Sequence, residues 1–341
     1  MGRAVSRRAV VISAGSLLAS RAVWAAGAGR PIRVASASGN LNLAVAALMR
    51  QEQLLEGLGL DPDIMMVADG ARILGGIVGG SVDVCLNAGF GQLFPAVERG
   101  GGLKVLAGGS LLPGLALFSA KPGVRTLKDL EGKAIGAGSI GALAYQLTVS
   151  LLQKYGVDLA GIRFVNIGAS SDVFRAVAAG TVDAGVGESS MIDTAAHYGV
   201  HLLEHGNMTV ELRQYTFQGA WASDRTIAHK RDLLVRALGA YARLYRFVQS
   251  PAAQAAFFRA CHTAFPTAPE GDFAALWNYI QNYKPFAVNL VLAPERLRYM
   301  QQLNIGFKVQ TTVLPFERVA DMSLAREALR LIGDTGTAAA V

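Results

Sequence analysis

Charge is scarce in this chain: only 17% of its 341 residues are Asp, Glu, Lys or Arg, against 52% hydrophobic. So little charge and so much apolar surface drive collapse around a core, which excludes a disordered or fibrous protein. Long apolar runs are missing too. Despite a mean hydropathy of +0.33, no stretch of about 18 apolar residues exists to span a bilayer as a helix. Like charges form no blocks and arginines do not alternate with aromatics, so nucleic-acid binding has no footprint. Cysteine is limited to Cys85 and Cys261; they are expected to be buried, unpaired thiols. What is plentiful is glycine, with 39 residues, as the many tight turns of an α/β chain require.

The first residues read as an address. Arg3, Arg7 and Arg8 precede the apolar run Ala9 to Ala19, and Val23-Trp24-Ala25-Ala26 supplies small residues for cleavage near Ala26. That is the layout of a secretory leader over residues 1–26. Ser6-Arg7-Arg8 suits the twin-arginine route as well as the general one. Removing this segment takes away four arginines and no acid, so the net charge falls from +7 to +3. Export to the periplasm is the expectation, and the basic balance belongs largely to the leader.

An internal repeat organises the rest. Shifted by about 100 residues, the stretch from Arg72 to Val82-Asp83 lies over that from Asp172 to Val182-Asp183. Each copy reads as a helix, a glycine stop at Gly80 or Gly180, and a buried strand. The flanks match in kind. A strand from Pro31 to Ala37 feeds a helix from Leu41 to about Leu55, and a strand from Lys133 to Ala137 feeds a helix from Ala142 to about Tyr155. Second strands follow at 64–67 and 162–167. Strand-helix alternation of this kind builds a mostly parallel sheet with helices on both faces, so the fold class is α/β with two lobes. Past Asp224 the pattern turns helical: Arg231 to Val248, then Pro251 to Cys261, Asp272 to Tyr283, Pro294 to Leu303 and Leu314 to Ala320. The end, 333–341, reads as a flexible tail.

With the repeat in hand, the run Val124-Arg125-Thr126-Leu127-Lys128-Asp129-Leu130-Glu131-Gly132-Lys133 resembles the segment at which certain solute-binding proteins of ABC importers enter their second lobe. The similarity is to the sulfonate, nitrate, taurine and thiamine-precursor type and extends over about Pro31 to Leu329. It implies a two-lobed type II periplasmic binding fold, with lobe 1 at 30–118 plus 222–330 and lobe 2 at 119–221. It further implies one small ligand held between the lobes, delivery to a permease and its ATPase, contact with the membrane only through that transporter, a monomeric state and no cofactor. Hinges are expected at Leu117 to Lys121 and Phe217 to Ser223. The cleft loops carry no evident arginine, in contrast to what a tightly held sulfonate or nitrate would want.

Ligands of open parallel sheets bind outside the carboxyl ends of the strands. That rule selects the loop from Ser36 to Asn42, with Ser36, Ser38, Gly39 and Asn40, then Asn87, Gly89 and Phe90, then Ser110. In the second lobe it selects Gly138, Ser139, Ile140 and Gly141, then Glu188 and Ser189, with Gln218 and Trp221 on the return segment. Free N–H groups at helix starts, with the Ser and Asn side chains, suit an oxyanion without any Lys or Arg. Glu188, the one charged side chain in these loops, is expected either to receive an amine or hydroxyl opposite the oxyanion or to act as a helix N-terminal acid. Phe90 and Trp221 would be apolar walls or plain core.

Three other patterns point to chemistry and fall short of it. Gly136-Ala137-Gly138-Ser139-Ile140-Gly141 matches the dinucleotide fingerprint, which raises an NAD-dependent enzyme as the alternative, but no acid follows until Asp172. His197, His201 and His205 are spaced for a metal, yet Gly199 breaks the helix between them. Asp83 and Asp183 start strands in separate lobes, too far apart for an acid–base pair. No catalytic or metal-binding residue is therefore expected. A captured small anionic or zwitterionic organic solute remains the leading function, with an exported enzyme, or a binding protein serving a sensor or another transporter, as alternatives.

Overall fold

The computed structural model describes residues 32–61, 63–68 and 70–334; the expected leader and the tail from residue 335 on lie outside them. In the first lobe the chain runs β1 (Val34–Ala37), α1 (Asn40–Gln51), β2 (Ile64–Val67), α2 (Gly70–Val78), β3 (Val84–Ala88), α3 (Leu93–Glu98) and β4 (Leu103–Gly108). It then crosses to β5 (Leu115–Ser119), β6 (Ala134–Gly136), α4 (Leu143–Lys154), β7 (Arg163–Val165), α5 (Ser170–Ala178), β8 (Ala184–Glu188), β9 (His201–Asn207) and α6 (Met208–Glu211). It returns through β10 (Gly219–Ser223) and finishes in α7 (Asp224–Val248), α8 (Gln254–Ala264), α9 (Glu270–Tyr283), α10 (Pro294–Gly306), α11 (Phe316–Val319) and α12 (Ser323–Leu331).

Two five-stranded sheets result, in the orders β2-β1-β3-β10-β4 and β7-β6-β8-β5-β9. Each is parallel apart from its fourth strand, β10 or β5, which is antiparallel to both neighbours. In both sheets that strand is the one arriving from the other lobe. Helices cover both faces, so central strands are buried throughout and read as near-continuous small or apolar runs, Val84–Ala88 and Ala184–Glu188.

The repeat is carried into the backbone. α2 and α5 are offset by 100 residues, as are β3 and β8, and the helix stops Gly80 and Gly180 have φ of 76° and 71°. This left-handed geometry is where glycine lacks the Cβ penalty. The aspartates that follow are strand ties rather than reagents. Asp83 Oδ2 accepts the Arg33 N–H at 2.8 Å and the Lys230 ammonium at 2.9 Å. Asp183 Oδ2 accepts the Ala134 N–H at 2.7 Å, and Lys121 pairs with its other oxygen.

Strand membership moves the lobe crossings. β5 pairs within the second sheet, so the chain leaves the first sheet at 109–114, earlier than the expected 118–119. The break is made by Pro113-Gly114, and the expected hinge at Leu117 to Lys121 falls largely inside β5. β10 likewise joins the first sheet, which puts the return crossing just before Gly219. The two crossings run side by side. Gly109 N–H donates to the Gln218 carbonyl at 3.0 Å, and Gln218 N–H donates to the Ser110 carbonyl at 2.8 Å.

Of the C-terminal helices, α7 starts at Asp224 rather than Arg231, but Lys230 breaks it with φ −131°, so the expected start marks a kink. α12 lies over α7 and α8 over α1. Through α9, which packs on the turn Ser189–Asp193, this helical third also touches the second lobe. No described helix is long and apolar enough to cross a membrane.

Candidate functional site

The carboxyl ends of both sheets meet in one cleft, and several of the expected residues converge there. Asn42, in the first turn of α1, is central. Its amide donates to the Ala37 carbonyl at 2.8 Å and to Gln218 Oε1 at 3.3 Å, while its oxygen accepts from Asn87 Nδ2 at 2.6 Å. Asn87 Oδ1 accepts the Ser110 N–H at 3.4 Å, and the Ser36 hydroxyl donates to the Asn87 carbonyl at 3.4 Å. The five polar residues, Ser36, Asn42, Asn87, Ser110 and Gln218, are all buried. A buried polar network whose members are partnered is rigid, and here it pins the first-lobe loops to the crossings.

Glu188 is set across the cleft from this floor. It ends β8, is 7% exposed, and its Oε1 accepts the Asn40 N–H at 2.7 Å. The neighbouring Leu41 N–H and Ser170 hydroxyl also favour its ionised form. Helix α1 has no side-chain cap and no acid in its first turn, and it is preceded by Gly39, so its orphan N–H groups are satisfied by a carboxylate from the opposite lobe. Glu188 thus caps the N-terminus of α1 from the other lobe, and its side chain makes no cap on the turn Ser189–Asp193 that follows it. Burial outweighs the three polar groups and pushes its carboxyl up to about 6.

Ser189, next in sequence, has its hydroxyl 2.9 Å from that of Thr209, which donates to the Pro113 carbonyl at 2.7 Å. Phe90 and Trp221 are 0% and 1% exposed in the first-lobe core, where Phe90 stacks on Phe94. Ser38 is half-buried beside Gly39 and Asn40, and its N–H donates to the Val67 carbonyl. The loop Gly138–Gly141 stands apart from the Asn42 network. Ser139 and Ile140 are exposed there, and the Ser139 hydroxyl accepts from Asn166 Nδ2 at 3.1 Å. Gly89, on the first lobe, faces Leu143 of the second, where an added Cβ would lie 3.2 Å from the leucine side chain.

Next to Asn40 a cavity of about 140 Å³ opens between the lobes, lined mainly by apolar groups such as Met191, Phe265, Phe273 and Leu276. Beyond it, Gln146 of α4 donates to Asn304 Oδ1 at 3.2 Å, and Asn304 in turn donates to the Gly91 carbonyl at 3.2 Å. This amide chain joins the second lobe, the C-terminal helices and the first lobe. Sequence reasoning missed Ser170, Gln146 and Asn304. Ser170 was within reach, because it opens the helix after β7 and the loop rule applies to that strand as well. Asn42 closes the first loop that this rule selects, Ser36 to Asn42.

The alternative chemistries find little support in the arrangement. Asp172, the first acid after the glycine-rich loop, is taken by Arg175 and by the Ala169 N–H. Gly199 is left-handed at φ 68° and His201 starts β9, so the three histidines share no face. Among the described residues no group of three metal-ligating side chains is present.

The family described as ABC transporter, phosphonate, periplasmic substrate-binding protein matches residues 42–256. No curated protein matches the chain. Solved structures share the fold at low identity. The alkanesulfonate-binding protein SsuA of Xanthomonas axonopodis pv. citri, bound to MOPS, is 19% identical over 89% of this chain and 99% of its own, with a TM-score of 0.68. For the periplasmic nitrate-binding protein NrtA of Synechocystis PCC 6803 the identity is 9%, the coverage 89% of both chains and the TM-score 0.70. The desulfurization enzyme DSZB is also similar, at 13% identity, 88% and 99% coverage and a TM-score of 0.61, so the fold alone does not separate binding from catalysis.

Proposed function

The chain belongs to the phosphonate-type family of periplasmic substrate-binding proteins of ABC transporters, and from that premise we propose that its interlobe cleft captures a small anionic or zwitterionic organic solute. Proteins of this family are transporter components that hand a small molecule to a permease and its ATPase; the fold is two-lobed, as that task requires. The ligand class and the residues that hold it are our reading. The observation that carries it is the Glu188 carboxylate on the first N–H groups of α1. The protein's own oxyanion already sits where a solute oxyanion would be held, on uncharged donors and the positive end of a helix dipole.

Three or four hydrogen bonds to a charged group, at about 1.5 to 3 kcal/mol each, approach the roughly 8 kcal/mol of micromolar binding. The apolar cavity beside Asn40 has about the volume, on the order of 150 Å³, that holds a benzene-sized group, which suits a short alkyl or aromatic part of the solute. Closure would bend the paired crossings at 109–114 and 212–218, with contacts from both lobes stabilising the shut form. A monomer is the state that goes with this reading, and a leader cut near Ala26 would deliver it to the periplasm.

A thermal-shift screen of the purified chain tests the ligand class, since a solute that binds only the native state raises the melting temperature. Alkanesulfonates, alkylphosphonates, aromatic carboxylates and amino acids are compared with neutral and cationic analogues of the same size. Stabilisation by an anionic or zwitterionic class supports the reading; stabilisation by neutral or cationic solutes alone overturns it.

A further inference from the structure

Glu188 has a second aspect, which concerns competition. A solute oxyanion held by the α1 N–H groups and the Glu188 carboxylate would need the same donors, Asn40 N–H, Leu41 N–H and the Ser170 hydroxyl. We propose that Glu188 occupies the solute's own oxyanion position, so that an anion enters only when this carboxylate is displaced or protonated. The proposal rests on the cleft being the solute site.

Several features set this carboxylate apart from an ordinary structural acid. The framework does not call for an acid there: the equivalent position of the first repeat, 100 residues earlier, is the fully buried Ala88. Gly39 leaves the approach open, since a Cβ at that position would lie 3.4 Å from Glu188 Oε1. A Ser or Asp before α1 would have capped the helix from its own lobe. Finally, among the described residues no cation faces the carboxylate. The donors on α1 and α5 are neutral, α9 brings the Tyr279 phenol, and Leu115, its partner on β5, is apolar. The titratable residue of α5's first turn, Asp172, is engaged by Arg175, and Asp193 of the following turn is exposed. An anion arriving beside an ionised Glu188 would meet like charge in a desolvated place, an arrangement in which both groups do not stay ionised.

The consequence is proton linkage. Closing the cleft buries the carboxylate, which raises its affinity for a proton from the ordinary range to about 6. Closure therefore takes up a proton: the shut form is favoured in acid and loses ground as pH rises from about 4.5 through 6. That shift corresponds to a change in the shut-to-open ratio of about thirtyfold between pH 4 and pH 8. Solute anions gain by the same route.

Two measurements test this. In the ligand-free protein, the lobe separation is followed by a spin-label distance between positions 78 and 140 across pH 4 to 8, in otherwise wild-type protein and in Glu188→Gln. The wild type is expected to open as pH rises, and Glu188→Gln, which keeps an acceptor oxygen but does not titrate, to stay unchanged. A pH-independent separation in the wild type, or the same pH response in both proteins, overturns the proposal. In the second arm, calorimetry with butanesulfonate at pH 7.5 and pH 5 is expected to show Glu188→Gln binding at least tenfold more tightly than wild type at pH 7.5, with the gap narrowing at pH 5. Equal affinities at pH 7.5 overturn it. If neither protein binds butanesulfonate, sulfonates leave the list of solutes, and the ligand-free arm still decides the role of Glu188.

Discussion

Replacing Asp83 with Asn is expected to destabilise the first lobe by an amount that can be worked out from its surroundings. The side chain is only 6% exposed and carries the Arg33 guanidinium, the Arg33 N–H and the Lys230 ammonium. Although burial raises its proton affinity, these partners win and hold the carboxyl at about 2, against an ordinary 3.8. A shift of nearly two units corresponds to about 2.5 kcal/mol of native-state stability. Because the folded value is the lower one, that contribution is present above about pH 4 and disappears as pH falls through 2. Asp83→Asn should thus cost about 2 to 3 kcal/mol at pH 7 and far less at pH 2. Urea unfolding followed by tryptophan fluorescence suits the question, since both tryptophans after residue 26 are Trp221 in β10 and Trp277 in α9, outside the second lobe. Asp183→Asn is the internal control. Its pair is more open, with Lys121 48% and Asp183 20% exposed, so its cost should be about 1 kcal/mol or less. Equal destabilisation by Asp83→Asn at pH 7 and pH 2 would refute the argument, because the loss would then come from packing and not from charge.

Two further outcomes follow from close packing and burial. In Gly109→Ala the new Cβ would fall 2.5 Å from Asn87 Oδ1 and 3.2 Å from the Gln218 carbonyl, so the variant should lose about 1 to 3 kcal/mol together with solute affinity; an unchanged melting temperature would show that the crossing yields. Cys85 and Cys261 are buried and unpaired, and burial pushes the Cys261 thiol up to about 12, so native protein should resist a thiol reagent and release two thiols on unfolding; rapid native labelling or a disulfide in the mass spectrum would contradict this.

Much of the framework was legible because local rules repeat in it. The offset near 100 placed α2 with α5 and β3 with β8, and two glycines with forced left-handed geometry marked the helix ends. Glu188 stood out as the only charged side chain in the cleft loops. Its pairing with Asn40, itself a candidate, did not, since that contact spans 148 residues and two lobes, a distance over which no periodicity informs. The same limit hid Gln146 and Asn304. The lobe crossings were misplaced by several residues because Leu115–Ser119 and Leu103–Gly108 are alike as strands; which sheet a strand joins depends on pairing, and pairing leaves no mark in composition.

The side-by-side crossings make the second lobe an insertion with touching ends. Gly109 and Gln218 bracket some 110 residues yet lie within one hydrogen bond of each other, so the first lobe and its helices already form a continuous scaffold on either side of that junction. Such a unit can be lifted out, exchanged for the corresponding piece of a relative, or replaced by a tight turn without redirecting the chain around it. Half of the solute's surroundings could in this way change as a single block, and specificity could evolve by transplanting a cassette as readily as by point substitution.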